Sequence, residues 1–92
     1  MATPPDPRAE AQRRADEEAI LEIAARLGPG ASAQEIADAL AGRRTAAGGS
    51  WHRTKVYRVC ARMRSRIGRD KSRKPYTENR AGEIANVYRR RR

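Results

Sequence analysis

The chain has no phenylalanine and only one tryptophan, one cysteine and one histidine. Each shortage removes a class of chemistry. A single cysteine forbids an intramolecular disulfide, and one cysteine with one histidine cannot make a zinc ligand set. No Ser-His-Asp or Cys-His constellation with a recognisable spacing can be assembled from this inventory. A non-enzymatic role is expected, with no cofactor, no metal and no small-molecule substrate. No apolar run approaches the roughly 20 residues that a membrane-spanning helix needs, so no membrane partner is expected. The N-terminus lacks the basic start and apolar middle of a signal peptide. These absences point to a reducing, cytoplasmic location.

Large apolar side chains are also scarce. Alanine makes up much of the 38% hydrophobic fraction, and aromatics are 4% of the 92 residues. Ile20, Leu21, Ile23, Leu27, Ile36, Leu40, Trp51, Val56, Val59, Met63, Ile67, Ile84 and Val87 must supply the core. A chain of this length buries only about 60–65% of its unfolded surface. That suffices for a small all-α bundle of three to four helices and leaves no wall material for an enclosed active-site cavity.

What the chain does have is positive charge, and it is unevenly placed. Residues 1–41 hold four arginines against eight carboxylates, a balance of −4. Residues 42–92 hold seventeen Lys/Arg against three carboxylates, +14, which recovers the +10 of the whole. A basic half of this kind is the footprint of a polyanion-binding surface.

Met1 to Pro7 is rich in proline and reads as a disordered leader, with Asp6 or Pro7 opening the first helix. Ala15, Ala19, Ile20, Ile23, Ala24 and Leu27 are assigned to its apolar stripe, and Gly28-Pro29-Gly30 ends it. The acidic cluster Asp16-Glu17-Glu18-Glu22 reads as its solvated face. Ser32 and Glu35 form a Ser-x-x-Glu capping box for a second, short helix. Ala33, Ile36, Ala37, Leu40 and Ala41 are its apolar side, and Gly42 its stop. Residues 43–50 form a loop in which Gly48-Gly49 permits a sharp turn and a short wing. Trp51 or His52 begins the third helix, whose stripe is Val56, Val59, Cys60, Met63 and Ile67. Residues 8–68 are thus read as one helix-turn-helix DNA-binding domain. Residues 69–76 follow as a basic linker. Residues 77–92 form a C-terminal helix, capped by Thr77, with an arginine tail.

The third helix carries the functional argument. A major-groove helix needs one apolar face for docking and an opposite face of donors for bases and phosphates. Thr54, Arg58 and Arg62 fall at i, i+4 and i+8. Arg58 is the candidate base reader, because a guanidinium can bind the guanine edge through two hydrogen bonds. Arg53, Lys55 and Arg66 flank this row as phosphate contacts, and Tyr57 reads either as a phosphate donor or as a cover for the core edge. Arg43, Arg44 and Thr45 in the loop are further phosphate candidates, and the second helix is expected to brace the backbone. His52 reads as a helix cap or a phosphate contact. Trp51 reads as a packing anchor whose indole N–H needs a partner, and Cys60 as a buried small hydrophobe.

Ser32-x-x-x-Ile36-Ala37-x-x-Leu40, Thr45-x-x-Gly48-Gly49-x-Trp51, and then Val56 and Val59 resemble a known segment. It is the DNA-binding segment downstream of the catalytic domain in large serine recombinases. There an Ile-Ala-x-x-Leu helix, a Thr-x-x-Gly-Gly-x-Trp loop and a Val-x-x-hydrophobic helix follow one another. The likeness covers roughly a third of the chain. Ala41-Gly42-Arg43-Arg44 replaces the family's usual Asn and Gly, and the loop is shorter. Nothing here resembles the family's catalytic domain or its cysteine-ligated zinc segment. The resemblance implies docking on double-stranded DNA through residues 43–63 and gives no support for strand cleavage. It also implies a small phage or mobile-element transcription regulator or a recombination accessory factor, associated with the nucleoid. RNA binding, as in a ribosome-associated basic protein, remains an alternative, as does a protein-interaction adaptor held through the acidic first helix. Either the first or the last helix offers an interface for a homodimer.

Overall fold

The computed structural model describes residues 6–67 and 81–91. Among them are four helices and no strand: α1 (Pro7–Leu27), α2 (Ala33–Ala39), α3 (Arg53–Ile67) and α4 (Ala81–Arg91). The all-α expectation holds. Residues 1–5, the expected linker 69–76 and the Thr77 cap lie outside the described residues.

The helix ends follow local chemistry. The Asp6 carboxylate accepts from the Arg8 N–H at 3.0 Å, and Pro7 occupies the first helical position, where its missing N–H costs nothing. α1 therefore begins within the stretch read as a leader. It stops at Gly28, whose φ of +93° favours glycine and whose N–H returns to the Ala24 carbonyl. The Ser32–Glu35 capping box is complete in both directions. α3 starts at Arg53, with His52 at its cap: the imidazole Nδ1 accepts from the Lys55 N–H at 3.3 Å.

One core unites all four helices. Ile20, Ile36, Leu40, Val56, Val59 and Met63 are its fully enclosed side chains. All five stripe positions of α3 are buried, as are Ala81, Ile84, Ala85, Val87 and Tyr88 of α4. α4 runs back along α1. Gly82 donates its N–H to the Ala31 carbonyl, Asn86 reaches the Ala24 carbonyl, and Tyr88 reaches Glu17. The approach at Gly82 is close enough that a Cβ there would collide with the Gly28 carbonyl oxygen.

Two assignments in the α1 stripe are corrected. Ala15 is exposed, because five residues of helix turn it about 140° away from Ile20. Leu27 shares the angular position of the core residues, but it is the last helical residue, where the stripe runs off the end of the core, and it is 48% exposed.

The acidic cluster is corrected as well. Asp16 and Glu17 are buried, at 4% and 5% exposure. They sit four residues before Ile20 and Leu21, so helical phase turns them inward with the core. A buried carboxylate is tolerated only with partners, and both have them, from the basic half of the chain.

Candidate nucleic-acid interface

The loop between α2 and α3 is tightly built. Arg44 and Ser50 form a single antiparallel bridge. Inside it the Thr45 N–H donates to the Gly49 carbonyl at 2.9 Å, and the Gly48 N–H donates to the Thr45 carbonyl at 2.8 Å. Gly48 takes a φ of +91°, which explains a glycine at this corner. The Gly49 N–H donates to the Thr45 hydroxyl oxygen at 2.9 Å. Thr45 is thus buried and committed to the turn, and is not presented to a phosphate. The expected wing exists only in miniature, as this one-bridge hairpin.

Arginines 43 and 44 are exposed but engaged. The Arg43 guanidinium pairs with Glu22 at 3.2 Å. The Arg44 guanidinium donates to the Gly48 carbonyl at 3.1 Å, across the hairpin it flanks. Both remain at the surface, where a surface ion pair or a single hydrogen bond is worth only about 1 kcal/mol and exchanges readily for a phosphate.

On α3 the cations divide by the partners they find. Lys55 and Arg66 lie on the flank facing α1. The Lys55 ammonium meets the Asp16 carboxylate at 3.0 Å, with its side chain only 25% exposed. Arg66 donates to the Tyr88 hydroxyl at 2.7 Å and stands 4.0 Å from Glu17. Lys55, expected at a phosphate, is instead the counterion of a buried carboxylate, whereas Arg66 remains at the surface with its side chain 65% exposed. Arg53, Thr54, Tyr57 and Arg58 are exposed and Arg62 is half-buried. Among the described residues, no ion pair or side-chain hydrogen bond engages Arg53, Arg58 or Arg62. Thr54 and Arg58 therefore stand open to solvent, opposite the buried stripe, with Arg62 half-buried at the end of the row.

α2 departs from its expected role. It carries no lysine or arginine, and its exposed positions include Gln34, Glu35 and Asp38, with the Gln34 amide donating to Asp38 at 2.8 Å. Such a face repels phosphate, which leaves the loop and α3 as the cationic surfaces of this region.

Reading by residue type missed Asp16, Glu17 and Tyr88 as organisers of this surface. Asp16 accepts from the Ala46 N–H at 2.9 Å through one oxygen and pairs with Lys55 through the other. Glu17 accepts from the Tyr88 hydroxyl at 3.2 Å. Helical phase relative to Ile20 and Leu21 was the available signal. Trp51 is the packing anchor expected, 6% exposed, yet among the described residues its indole N–H finds no acceptor. Cys60 is buried, and burial pushes its thiol up from its ordinary 9.0 to about 12, which makes it a poor nucleophile.

No group of three His, Cys, Asp or Glu among the described residues is placed to hold a metal ion. No helix among them is long and apolar enough to cross a membrane. No protein-family model, curated protein or solved structure matches this chain.

Proposed function

We propose that this protein binds double-stranded DNA and reads sequence through α3. The observation that carries the reading is the sorting of cations on that helix. Lys55 is held by Asp16 of α1, whereas Arg53, Arg58 and Arg62 have no ion-pair or side-chain hydrogen-bond partner among the described residues. A helix docked by an apolar face, with uncommitted guanidiniums opposite, suits the major groove. In this reading Arg58 contacts a base, Arg53 and Arg62 meet phosphates, and Arg43 and Arg44 exchange their weak partners for the backbone beside the groove.

The resemblance of residues 32–59 to the recombinase segment supports the same assignment. It favours a regulator or recombination accessory factor of a phage or mobile element over a general compacting protein. Nucleoid association follows from DNA binding.

A salt titration on random-sequence and library-selected duplexes tests the reading. With about five phosphate contacts, affinity should fall several hundredfold between 50 and 200 mM salt. Tighter binding to folded RNA than to any duplex would move the function to RNA. A nearly flat salt dependence would remove nucleic acid altogether. If the reader works as a dimer, the selected sites will show paired half-sites about one helical turn apart.

A further inference from the structure

The hairpin leads into α3, and a single side chain from α1 holds both. One oxygen of the Asp16 carboxylate accepts the Ala46 N–H at the tip of the hairpin, 30 residues away in sequence. The other oxygen pairs with the Lys55 ammonium in the first turn of α3. Asp16 is 4% exposed, so the clamp is shielded from water. We infer that Asp16 is a positioning residue for DNA reading: it sets the spacing between the hairpin and α3, so that both engage one duplex in one register. This inference rests on the DNA-binding reading above.

The clamp has two consequences of opposite sign. It withdraws a cation: Lys55 lies on the flank of α3 next to Arg62, seven residues on, and is kept from phosphate by its carboxylate partner. It also fixes geometry, on which base readout depends more steeply than phosphate attraction does, because base contacts specify while phosphate contacts only position. Breaking the clamp should therefore raise sequence-independent affinity and lower discrimination. A residue that merely stabilised the fold would do neither. Its loss would reduce the folded fraction and weaken every duplex by one factor.

The experiment compares the full chain with Asp16→Asn on a library-selected duplex and a scrambled duplex, across a salt series. Asp16→Asn can still accept the Ala46 N–H but no longer holds Lys55. The expected result has three parts. Scrambled-duplex affinity is kept or increased, the slope of log affinity against log salt steepens by up to about 0.9 for one new phosphate contact, and discrimination falls at least about fivefold. Equal weakening on both duplexes with an unchanged slope overturns the inference and leaves the DNA reading intact. Binding by the parent chain without sequence preference overturns it as well. Failure of the parent chain to bind any duplex overturns both.

If Asp16→Asn does not fold, Ala46→Pro decides. Ala46 is the second residue of the turn closed by Gly48 and Thr45, a position that accepts proline. The substitution replaces the N–H that Asp16 holds by the proline Cδ, which forces the carboxylate off the hairpin. Lower discrimination with an unchanged salt slope supports the clamp, and unchanged discrimination overturns it.

Discussion

The Tyr88 hydroxyl donates to the Glu17 carboxylate at 3.2 Å, joining residues 71 apart in sequence. The same hydroxyl accepts from Arg66 at 2.7 Å. One phenol therefore ties α4 to α1 and to α3 at once. Tyr88→Phe keeps the ring and removes the donor, leaving Glu17 buried with Arg66 at 4.0 Å as its remaining described partner. The expected cost is about 1–3 kcal/mol in urea denaturation. Tyr57→Phe, at an exposed position, should change stability little.

Gly82 lies in the first turn of α4. Replacing a helical glycine by alanine ordinarily stabilises by about 0.5–1 kcal/mol. Here the added Cβ would strike the Gly28 carbonyl oxygen and press on the Ala31 backbone nitrogen at 3.0 Å. Backbone atoms cannot swing aside, so Gly82→Ala is expected to destabilise by about 1–3 kcal/mol. Gly42→Ala meets nothing within 4 Å and serves as the control in the same denaturation series.

Cys60 gives a pH prediction. Burial raises its thiol to about 12 in the folded chain, against an ordinary 9.0. Below pH 9 the thiol is protonated in both states and the full stability is present. Between 9 and about 12 the unfolded chain loses that proton while the folded chain keeps it, so folding stability declines as pH rises. Chemical denaturation at several pH values should show this decline in the parent chain, and a shallower one in Cys60→Ala. An equal slope in both would contradict the burial argument.

Arg58 and Lys55 separate base reading from charge. Arg58→Ala should weaken a selected duplex by about 1–3 kcal/mol and relax preference at one base pair. Lys55→Met should leave the salt slope unchanged, since its ammonium is spent on Asp16. Fluorescence anisotropy on selected and scrambled duplexes reads both effects. A loss of slope on Lys55→Met would show that the lysine does reach phosphate.

Much of this architecture was legible because it is local. The Ser32–Glu35 capping box spans three residues, Gly28 marks its own helix end, and the α3 stripe repeats at helical spacing. The row Thr54–Arg58–Arg62 follows from that same spacing. Residues were misplaced where charge was allowed to outrank phase. Asp16 and Glu17 read as solvated because they are acidic, although their positions relative to Ile20 and Leu21 turn them inward. Lys55 read as a phosphate contact because it is basic, and its partner lies on α1, far away in sequence. Thr45 read as a phosphate donor, while the turn it stabilises depends on backbone conformations at Gly48 and Gly49 that no spacing rule supplies.

α4 lends Ala81, Ile84, Ala85, Val87 and Tyr88 to the interior, so it acts as a wall rather than an appendage. A fragment cut after Ile67 would bare the greasy flanks of α1 and α3 to water. Two such fragments would then tend to stick through that stripped side. Stoichiometry measured on a shortened chain would describe the missing wall and not the intact protein.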